Sequence, residues 1–230
     1  MKTIGLLGGM SWNSTADYYR LINEGVARRL GGLHSAKILL YSFDFDEIER
    51  LQSDGQWAET TALLSKAAKA LRGAGADFLV ICTNTMHKLA DDVEAASGMT
   101  LLHIADAAGE AIKQQGLRRV GLLGTRFTMS EDFYRRRLTE KFGIEVLVPD
   151  DNEQQMVNRI IYDELCRGCI NDASRQTCLS IIENLISRGA EGIVLGCTEL
   201  PHLITQSDVA IQVFDTTRLH AEAVVAQALV

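Results

Sequence analysis

Short apolar runs alternate with longer stretches of helical periodicity along the whole chain of 230 residues. The runs that predict strands are 3–7, 35–43, 77–81, 101–104, 144–148, 192–195 and 211–214, with one more at the start of 118–128. The periodic stretches that predict helices are 16–30, 56–73, 88–97, 106–115, 131–142, 153–165, 174–188 and 217–229. Strands that alternate with helices predict an α/β fold with parallel sheets, right-handed crossovers and ligands at the carboxyl ends of the strands.

The pattern of the first half of the chain returns in the second half. Segment 121–124 (GLLG) repeats segment 5–8, which lies 116 residues earlier. The polar strand end at Cys197 follows that at Thr83 by 114 residues. This self-similarity predicts two βα halves of one origin. We expect the first half to comprise 1–105 with 216–230, and the second 106–215.

Two apolar strands end abruptly in small polar side chains. They are 79–87 (LVICTNTMH) and 192–202 (GIVLGCTELPH). A buried parallel strand delivers a site at its carboxyl end, so we expect the fold to bring these two strand ends face to face. Neighbouring strand residues point to opposite sides, so only one of Cys82 and Thr83 can face such a site.

The composition argues against several classes of function and partner. A net charge of −7 and a pI near 5.3 argue against nucleic acid or an anionic membrane as partner. The start lacks a long apolar segment and no later run approaches about 20 apolar residues, so we expect a cytoplasmic protein. Five cysteines, an odd number, fit reduced thiols better than a disulfide framework.

The glycine-rich segment 8–15 (GGMSWNST) separates the first strand from the first helix. A strand, a glycine turn and a helix amino terminus form an anion-binding layout. The segment lacks the G-x-G-x-x-G spacing and the lysine of nucleotide-binding loops. A turn that is merely tight explains the glycines equally well.

Cysteine and histidine supply candidate chemistry. Cys197 follows a strand, where a helix amino terminus can lower the pKa of a thiol, and we expect it to have a chemical role. Cys166 and Cys169 form a C-x-x-C without a second pair, which argues against zinc and favours core thiols around a helix end. His87 and His202 follow the two polar clusters, as symmetric candidates for proton transfer or carboxylate binding.

The other histidines, His34, His103 and His220, have no comparable context in the sequence. The acidic segment 44–52 is typical of a solvated helix start. Arg50 and Gln52 follow the predicted strand 35–43 closely enough for a carboxylate-binding side chain to reach a site there, although each taken alone is more typical of a solvated surface.

Three segments, 8–15 (GGMSWNST), 83–87 (TNTMH) and 196–201 (GCTELP), resemble in order the motifs of the aspartate/glutamate racemase family. The resemblance covers nearly the whole chain. It implies two Rossmann-like halves related by a pseudo-twofold axis, an active site in the cleft between them, no cofactor, and usually a homodimer. Family enzymes use two cysteines on opposite faces of the α-carbon, and the cysteine of the last motif acts on the L-enantiomer.

By this resemblance Thr83 and Cys197 are the catalytic positions. Without pyridoxal phosphate, hydrogen bonds and positive charge must stabilise the carbanion through the α-carboxylate. Asn84, Thr85 and Thr198 match the positions for such contacts, and Arg50 or Arg167 would hold a side-chain carboxylate with Gln52 as a neutral helper. The full set expected to bind the amino-acid substrate is Met10, Ser11, Arg50, Gln52, Asn84, Thr85, Arg167, Thr198 and Glu199. No metal is expected.

The chain departs from the family at Thr83, where the family has cysteine. A threonine hydroxyl is a far weaker acid than a thiol, so it would protonate a carbanion slowly and hardly serve as a resting base. The expectation is therefore proton abstraction from the L-enantiomer by Cys197, with Thr83 on the opposite face. Two alternatives stay open: a cysteine-dependent decarboxylase or isomerase of the same superfamily, and a degenerate amino-acid-binding module.

Overall fold

The computed structural model describes residues 1–230 and divides into two compact units. The first consists of Met1–His103 together with His220–Val230, and the second of Ile104–Leu219. The chain therefore leaves the first unit once, builds the whole second unit, and returns. The domain limits expected above remain a prediction from the sequence.

The first unit is built on a four-stranded parallel sheet in the order β2-β1-β3-β4. Its strands are β1 (Ile4–Gly8), β2 (Ile38–Ser42), β3 (Phe78–Ile81) and β4 (Leu101–Leu102). Its helices are α1 (Trp12–Leu30), α2 (Phe45–Ser53), α3 (Trp57–Gly73) and α4 (Ala90–Ser97), with a 3₁₀ helix at Thr85–Leu89 before α4.

The second unit repeats this topology in the order β6-β5-β7-β8. Its strands are β5 (Arg119–Gly124), β6 (Glu145–Leu147), β7 (Gly192–Gly196) and β8 (Gln212–Asp215). Its helices are α5 (Ile104–Gln114), α6 (Arg126–Ser130), α7 (Asp132–Phe142), α8 (Asp151–Arg159) and α9 (Asp172–Ser187), and α10 (Thr216–Ala228) runs on into the first unit. The predicted α/β class with parallel sheets is confirmed.

Continuous apolar runs form these central strands because both faces of each sheet are covered. In β3, Phe78 and Val80 pack with Tyr18 of α1, whereas Leu79 and Ile81 pack on the opposite face with residues of α3 and α4. The same alternation separates Val194 from Ile193 and Leu195 in β7. Because helices pack on both faces of each sheet, polar groups are placed at the carboxyl ends of its strands.

The start of α1 was predicted wrongly. The helix begins at Trp12 rather than at 16, because the Ser11 side chain accepts a hydrogen bond from the Ser14 N–H at 3.4 Å and caps the helix there. Residues 12–15, which the sequence assigns to the glycine-rich segment, therefore already form the first turn of α1.

Other boundaries also differ from the sequence prediction. The predicted strand 101–104 has only two residues, and Ile104 begins α5 instead. The predicted helix 153–165 begins at Asp151, is α-helical to Arg159, and continues as a π-helix over Ile160–Glu164 and a 3₁₀ turn over Leu165–Arg167. Helical periodicity does not reveal such a change of winding, because it registers only which face is apolar. No helix combines the length and apolar character that crossing a membrane requires.

Candidate active site

The turn after β1 is tied to the first turn of α1. Thr15 Oγ1 accepts the Gly9 N–H at 2.8 Å and donates to the Ser11 carbonyl at 2.8 Å. Gly9 has φ of +84°, and a Cβ at this position would collide with the backbone of Phe43. The turn therefore holds Met10 and Ser11, both buried, in one fixed place at the carboxyl edge of the first sheet.

Thr83 follows β3 at the same edge. The Cys82 N–H donates to the Leu7 carbonyl at 2.9 Å, so the pairing with β1 continues one residue beyond the strand. Cys82 is completely buried among residues of α1 and α10, and burial raises the pKa of its thiol. Thr83 is partly exposed, so of these two neighbours only the threonine reaches the surface.

The residues after Thr83 turn at once into a 3₁₀ helix. Asn84, Thr85 and His87 are buried. His87 Nδ1 lies 2.7 Å from the Thr83 carbonyl oxygen, and because a carbonyl only accepts, Nδ1 is the donor. Burial, with the neighbouring imidazoles of His103 and His220, holds the pKa of His87 well below its ordinary value.

Arg50 and Gln52 lie in α2 rather than directly after a strand. The Gln52 side chain is buried, whereas Arg50 is exposed and its guanidinium has no partner within the chain. An exposed, unpaired guanidinium can receive a carboxylate without first breaking an ion pair.

Cys197 occupies the corresponding place in the second unit, directly after β7. Its Sγ donates to Glu199 Oε2 at 3.1 Å, and the Thr198 hydroxyl donates to the same oxygen at 2.8 Å. All three side chains are at least 95% buried. The strand end thus presents a thiol and a carboxylate that share one hydrogen-bond network.

The pKa expected for Cys197 was wrong in direction. Burial raises it well above the ordinary thiol value, and the negative charge of Glu199 raises it further. The sequence suggested a thiolate stabilised by a helix amino terminus, but the following helical segment is only the 3₁₀ turn Leu200–His202. In this structure Cys197 is a thiol, and removing its proton yields a strongly basic thiolate.

The predicted pair Cys166 and Cys169 does not form a core cluster. Cys166 is partly buried, and burial and then the Glu199 charge raise the pKa of its thiol, whereas Cys169 is exposed. Arg167, between them, ends the 3₁₀ turn and is exposed with no partner for its guanidinium. Cys166 therefore belongs to the electrostatic surroundings of Cys197, a proximity that the sequence did not indicate.

The histidines are not symmetric between the units. His87 is buried, whereas His202 is exposed. His103 and His220, which have no context in the sequence, lie beside His87 with ring centroids 4.6 Å and 5.6 Å from it. His103 follows directly after β4, a strand end that could have suggested its place, but α10 gives no such signal for His220. No group of three or more histidine, cysteine or acidic side chains is arranged to hold a metal ion.

Comparisons with known proteins agree with the fold. The model of a family described as Asp/Glu/Hydantoin racemase matches residues 7–224. A proposed Asp/Glu racemase from Yersinia pestis is 57% identical, with a TM-score of 0.93 over 100% of both chains. An aspartate racemase homologue from Pyrococcus horikoshii is 38% identical, with a TM-score of 0.84 over 100% of both chains. The broad specificity amino-acid racemase RacX of Bacillus subtilis is 23% identical over 235 residues, 96% of each chain. The chain belongs to the Asp/Glu/Hydantoin racemase family.

Proposed function

We propose that the protein is a cofactor-independent racemase of acidic amino acids, aspartate or glutamate. Cys197 removes the α-proton of the L-enantiomer, and Thr83 acts on the opposite face of the α-carbon. The observation that carries the proposal is the pair of equivalent strand ends, one with a buried thiol bonded to a carboxylate and the other with a threonine hydroxyl. Membership of a racemase family supports an isomerase.

The chemistry of Cys197 fits proton abstraction from carbon. An α-proton is weakly acidic, so the base must be strong, and a raised thiol pKa means that its conjugate thiolate is strongly basic. Glu199 Oε2 accepts the thiol hydrogen bond and orients Sγ, and once the thiol proton is lost to solvent the neighbouring carboxylate raises the basicity of the thiolate. The thiolate then takes the α-proton and leaves a carbanion.

Binding groups for that carbanion surround the two strand ends. Asn84 and Thr85 offer an amide and a hydroxyl donor to the α-carboxylate, where negative charge develops. The Thr198 hydroxyl donates to Glu199 Oε2 and has to turn from it to reach the α-carboxylate when substrate binds. Arg50 or Arg167 pairs with the side-chain carboxylate, and both guanidinium groups are available for this. Met10, Ser11 and Gln52, all buried, and Glu199 complete the proposed binding set.

Thr83 in place of cysteine makes the two faces unequal. Enantiomers have an equilibrium constant of one, so kcat/KM must be equal in the two directions and Thr83 cannot make net racemisation one-sided. What Thr83 can do is slow the protonation that completes inversion. Cys197 then returns a solvent proton to the face it came from, and exchange of the L-form runs faster than its inversion.

The test is α-proton exchange in deuterated buffer, followed by proton NMR with chiral analysis. L- and D-aspartate and L- and D-glutamate are each given to the wild type, to Cys197→Ala, and to Cys178→Ala. Cys178 is a buried thiol of the same unit and serves as the matched control. We expect an L-substrate to lose its α signal quickly and to form the D-enantiomer slowly, with both processes abolished in Cys197→Ala alone.

Absence of exchange from all four substrates would overturn the racemase proposal. Binding without exchange would then indicate an amino-acid-binding module. Release of carbon dioxide from a substituted malonate, with no exchange of amino acids, would indicate a decarboxylase.

We also propose a homodimer, located in the cytoplasm. Exposed large apolar side chains of the first unit support the dimer; they are Trp12 and Tyr19 on α1 with Leu40 and Tyr41 on β2. Five cysteines without a disulfide suit a reducing compartment. A molecular mass of one chain by light scattering at micromolar concentration would contradict the dimer.

A further inference from the structure

The carbonyl group of Thr83 is held by a side chain from its own turn. His87 Nδ1 donates to this oxygen at 2.7 Å, across the step from β3 into the 3₁₀ helix. In the second unit the Cys197 carbonyl instead accepts the Leu200 N–H at 3.2 Å, a backbone bond of an ordinary tight turn. At the threonine end of the repeated topology the carbonyl is therefore held by a side chain, and at the cysteine end it is held by a backbone N–H.

The imidazole that makes this bond is itself fixed. His220 Nε2 lies 2.9 Å from the Leu102 carbonyl and is its donor, so in a neutral ring His220 Nδ1 accepts the Tyr18 hydroxyl at 2.8 Å. Tyr18 and His220 are completely buried, and the His220 ring stands at 67° against that of His87. His103 covers a second side of His87 at 4.6 Å. Helices α1 and α10 and the end of β4 thus set the place of His87.

The rate of proton transfer from a weak acid, such as a threonine hydroxyl, depends strongly on where the acid is placed. The Thr83 hydroxyl sits on a branched Cβ, so its direction follows the backbone at that residue closely. A displacement of about 1 Å at a reacting group can cost about 100-fold in rate. A thiol compensates for a poor position by its greater acidity, and a threonine hydroxyl cannot.

We propose that His87 is a positioning residue for the Thr83 half of the reaction, holding the Thr83 backbone through its Nδ1–H so that the hydroxyl points at the α-carbon. The inference rests on the proposed racemase function. It assigns His87 no contact with substrate. The low pKa of the buried imidazole means that the neutral ring has a single N–H, for which the Thr83 carbonyl competes with the Leu102 carbonyl, and the Leu102 carbonyl already accepts from His220.

The test separates the two faces of the substrate. In deuterated buffer, loss of the α signal from the L-enantiomer reports the Cys197 face, and formation of the D-enantiomer reports the Thr83 face. His87→Asn keeps an N–H donor near the position of Nδ1, whereas the similarly sized His87→Gln moves its donor outward towards the position of Nε2. Asparagine should preserve the ratio of inversion to exchange, and glutamine should lower it about tenfold or more while exchange changes little.

A double variant identifies the route of the effect. In a Thr83→Ala background, adding His87→Gln should leave the ratio unchanged, because the residue through which His87 acts is already gone. A further tenfold fall would show that His87 acts on the substrate independently and would overturn the positioning role. An equal fall of exchange and inversion in His87→Gln would also overturn it, because that is the mark of general structural damage.

The wild type offers a measurement that needs no variant. In ¹⁵N-labelled protein, imidazole correlations should show His87 as the Nδ1–H tautomer, and a ring protonated only at Nε2 would overturn the proposal. The two proposals fail differently. Without any exchange by the wild type, the racemase function fails and the His87 role falls with it. Wild-type exchange with an unaltered ratio in His87→Gln overturns the His87 role alone.

Discussion

Equivalent backbone positions at two strand ends carry side chains of unlike acidity, and each has a different neighbour. The thiol of Cys197 donates to the carboxylate of Glu199, while the backbone of Thr83 accepts from the imidazole of His87. The Glu199 carboxylate changes the pKa of the Cys197 thiol, whereas the His87 imidazole fixes the backbone position of Thr83. The two ends therefore call for different tests, one of pH dependence and one of stereochemistry.

Replacing Glu199 by glutamine should move the pH dependence of exchange. Its negative charge raises the pKa of Cys197, second only to burial, so Glu199→Gln lowers that pKa while burial keeps it above the ordinary value. More thiolate then forms at a given pH. We expect the alkaline rise of kcat/KM for exchange of L-aspartate to shift to lower pH.

Glu191→Gln is the control for this shift. Glu191 stands just before β7, at the opposite end of the strand from Glu199, and its carboxylate accepts the backbone N–H groups of Arg118 and Arg119. Its profile should match the wild type. A Glu199→Gln profile that stays in place, or moves to higher pH, would show that the carboxylate does not govern the thiol.

At this scale the sequence locates the candidate residues but not their electrostatics. Thr83 and Cys197 could be found because each ends an apolar run, and a parallel sheet places such ends at one edge. The raised pKa of Cys197 depends on how deeply it is buried and on the direction of the Glu199 side chain, which no local pattern encodes. The cluster around His87 also needs His220, more than 130 residues away in the chain.

Among the elements, the turn between β1 and α1 depends most on a single residue. Gly9 adopts φ of +84°, and a Cβ there would meet the Phe43 backbone, which cannot rotate away as a side chain can. We expect Gly9→Ala to lower the free energy of unfolding by about 3 kcal/mol or more. It should also raise KM for L-aspartate, because Met10 and Ser11 follow directly. Urea unfolding and steady-state kinetics measure the two effects.

Gly75→Ala is the control that introduces backbone strain without a collision of the new Cβ. Gly75 has φ of +99°, but a Cβ there would meet no atom within 4 Å. This variant should lose only the conformational cost, about 1–2 kcal/mol, with KM unchanged. Equal losses in both variants would show that the contact with Phe43 has no role.

The elements themselves were predictable to different degrees. Strands β1, β3, β5 and β7 follow from apolar runs because the sheets are covered on both faces. The start of α1 was missed because Ser11, one of several possible caps in 8–15, is selected by its hydrogen bond rather than by residue type. The π-helix at Ile160–Glu164 was missed because its buried residues keep helical spacing.

For the molecule as a whole, the state of its buried thiols links fold stability to pH. Burial is the main cause that raises the pKa of the thiols of Cys82, Cys166 and Cys178, and it raises the pKa of Cys178 to about 12. In the unfolded chain each thiol loses its proton near pH 8.5. The unfolded state is therefore favoured progressively as pH rises from that value towards the folded pKa.

Cys82→Ala isolates one of these contributions. The folded protein keeps the Cys82 proton where the unfolded chain has lost it, so the loss of wild-type stability due to this thiol begins near pH 8.5 and steepens towards about 1.4 kcal/mol per pH unit above it. The variant lacks that dependence. It should be less stable than wild type at pH 7, because a small cavity opens in the first unit, yet the difference should narrow by about 1.6 kcal/mol between pH 8.5 and pH 10. Urea unfolding in a non-thiol reductant measures both, and Cys169→Ala, which removes an exposed thiol, should follow the wild type throughout. A constant difference between Cys82→Ala and wild type would mean that Cys82 ionises as readily in the folded protein as in the unfolded chain, which its complete burial makes unfavourable.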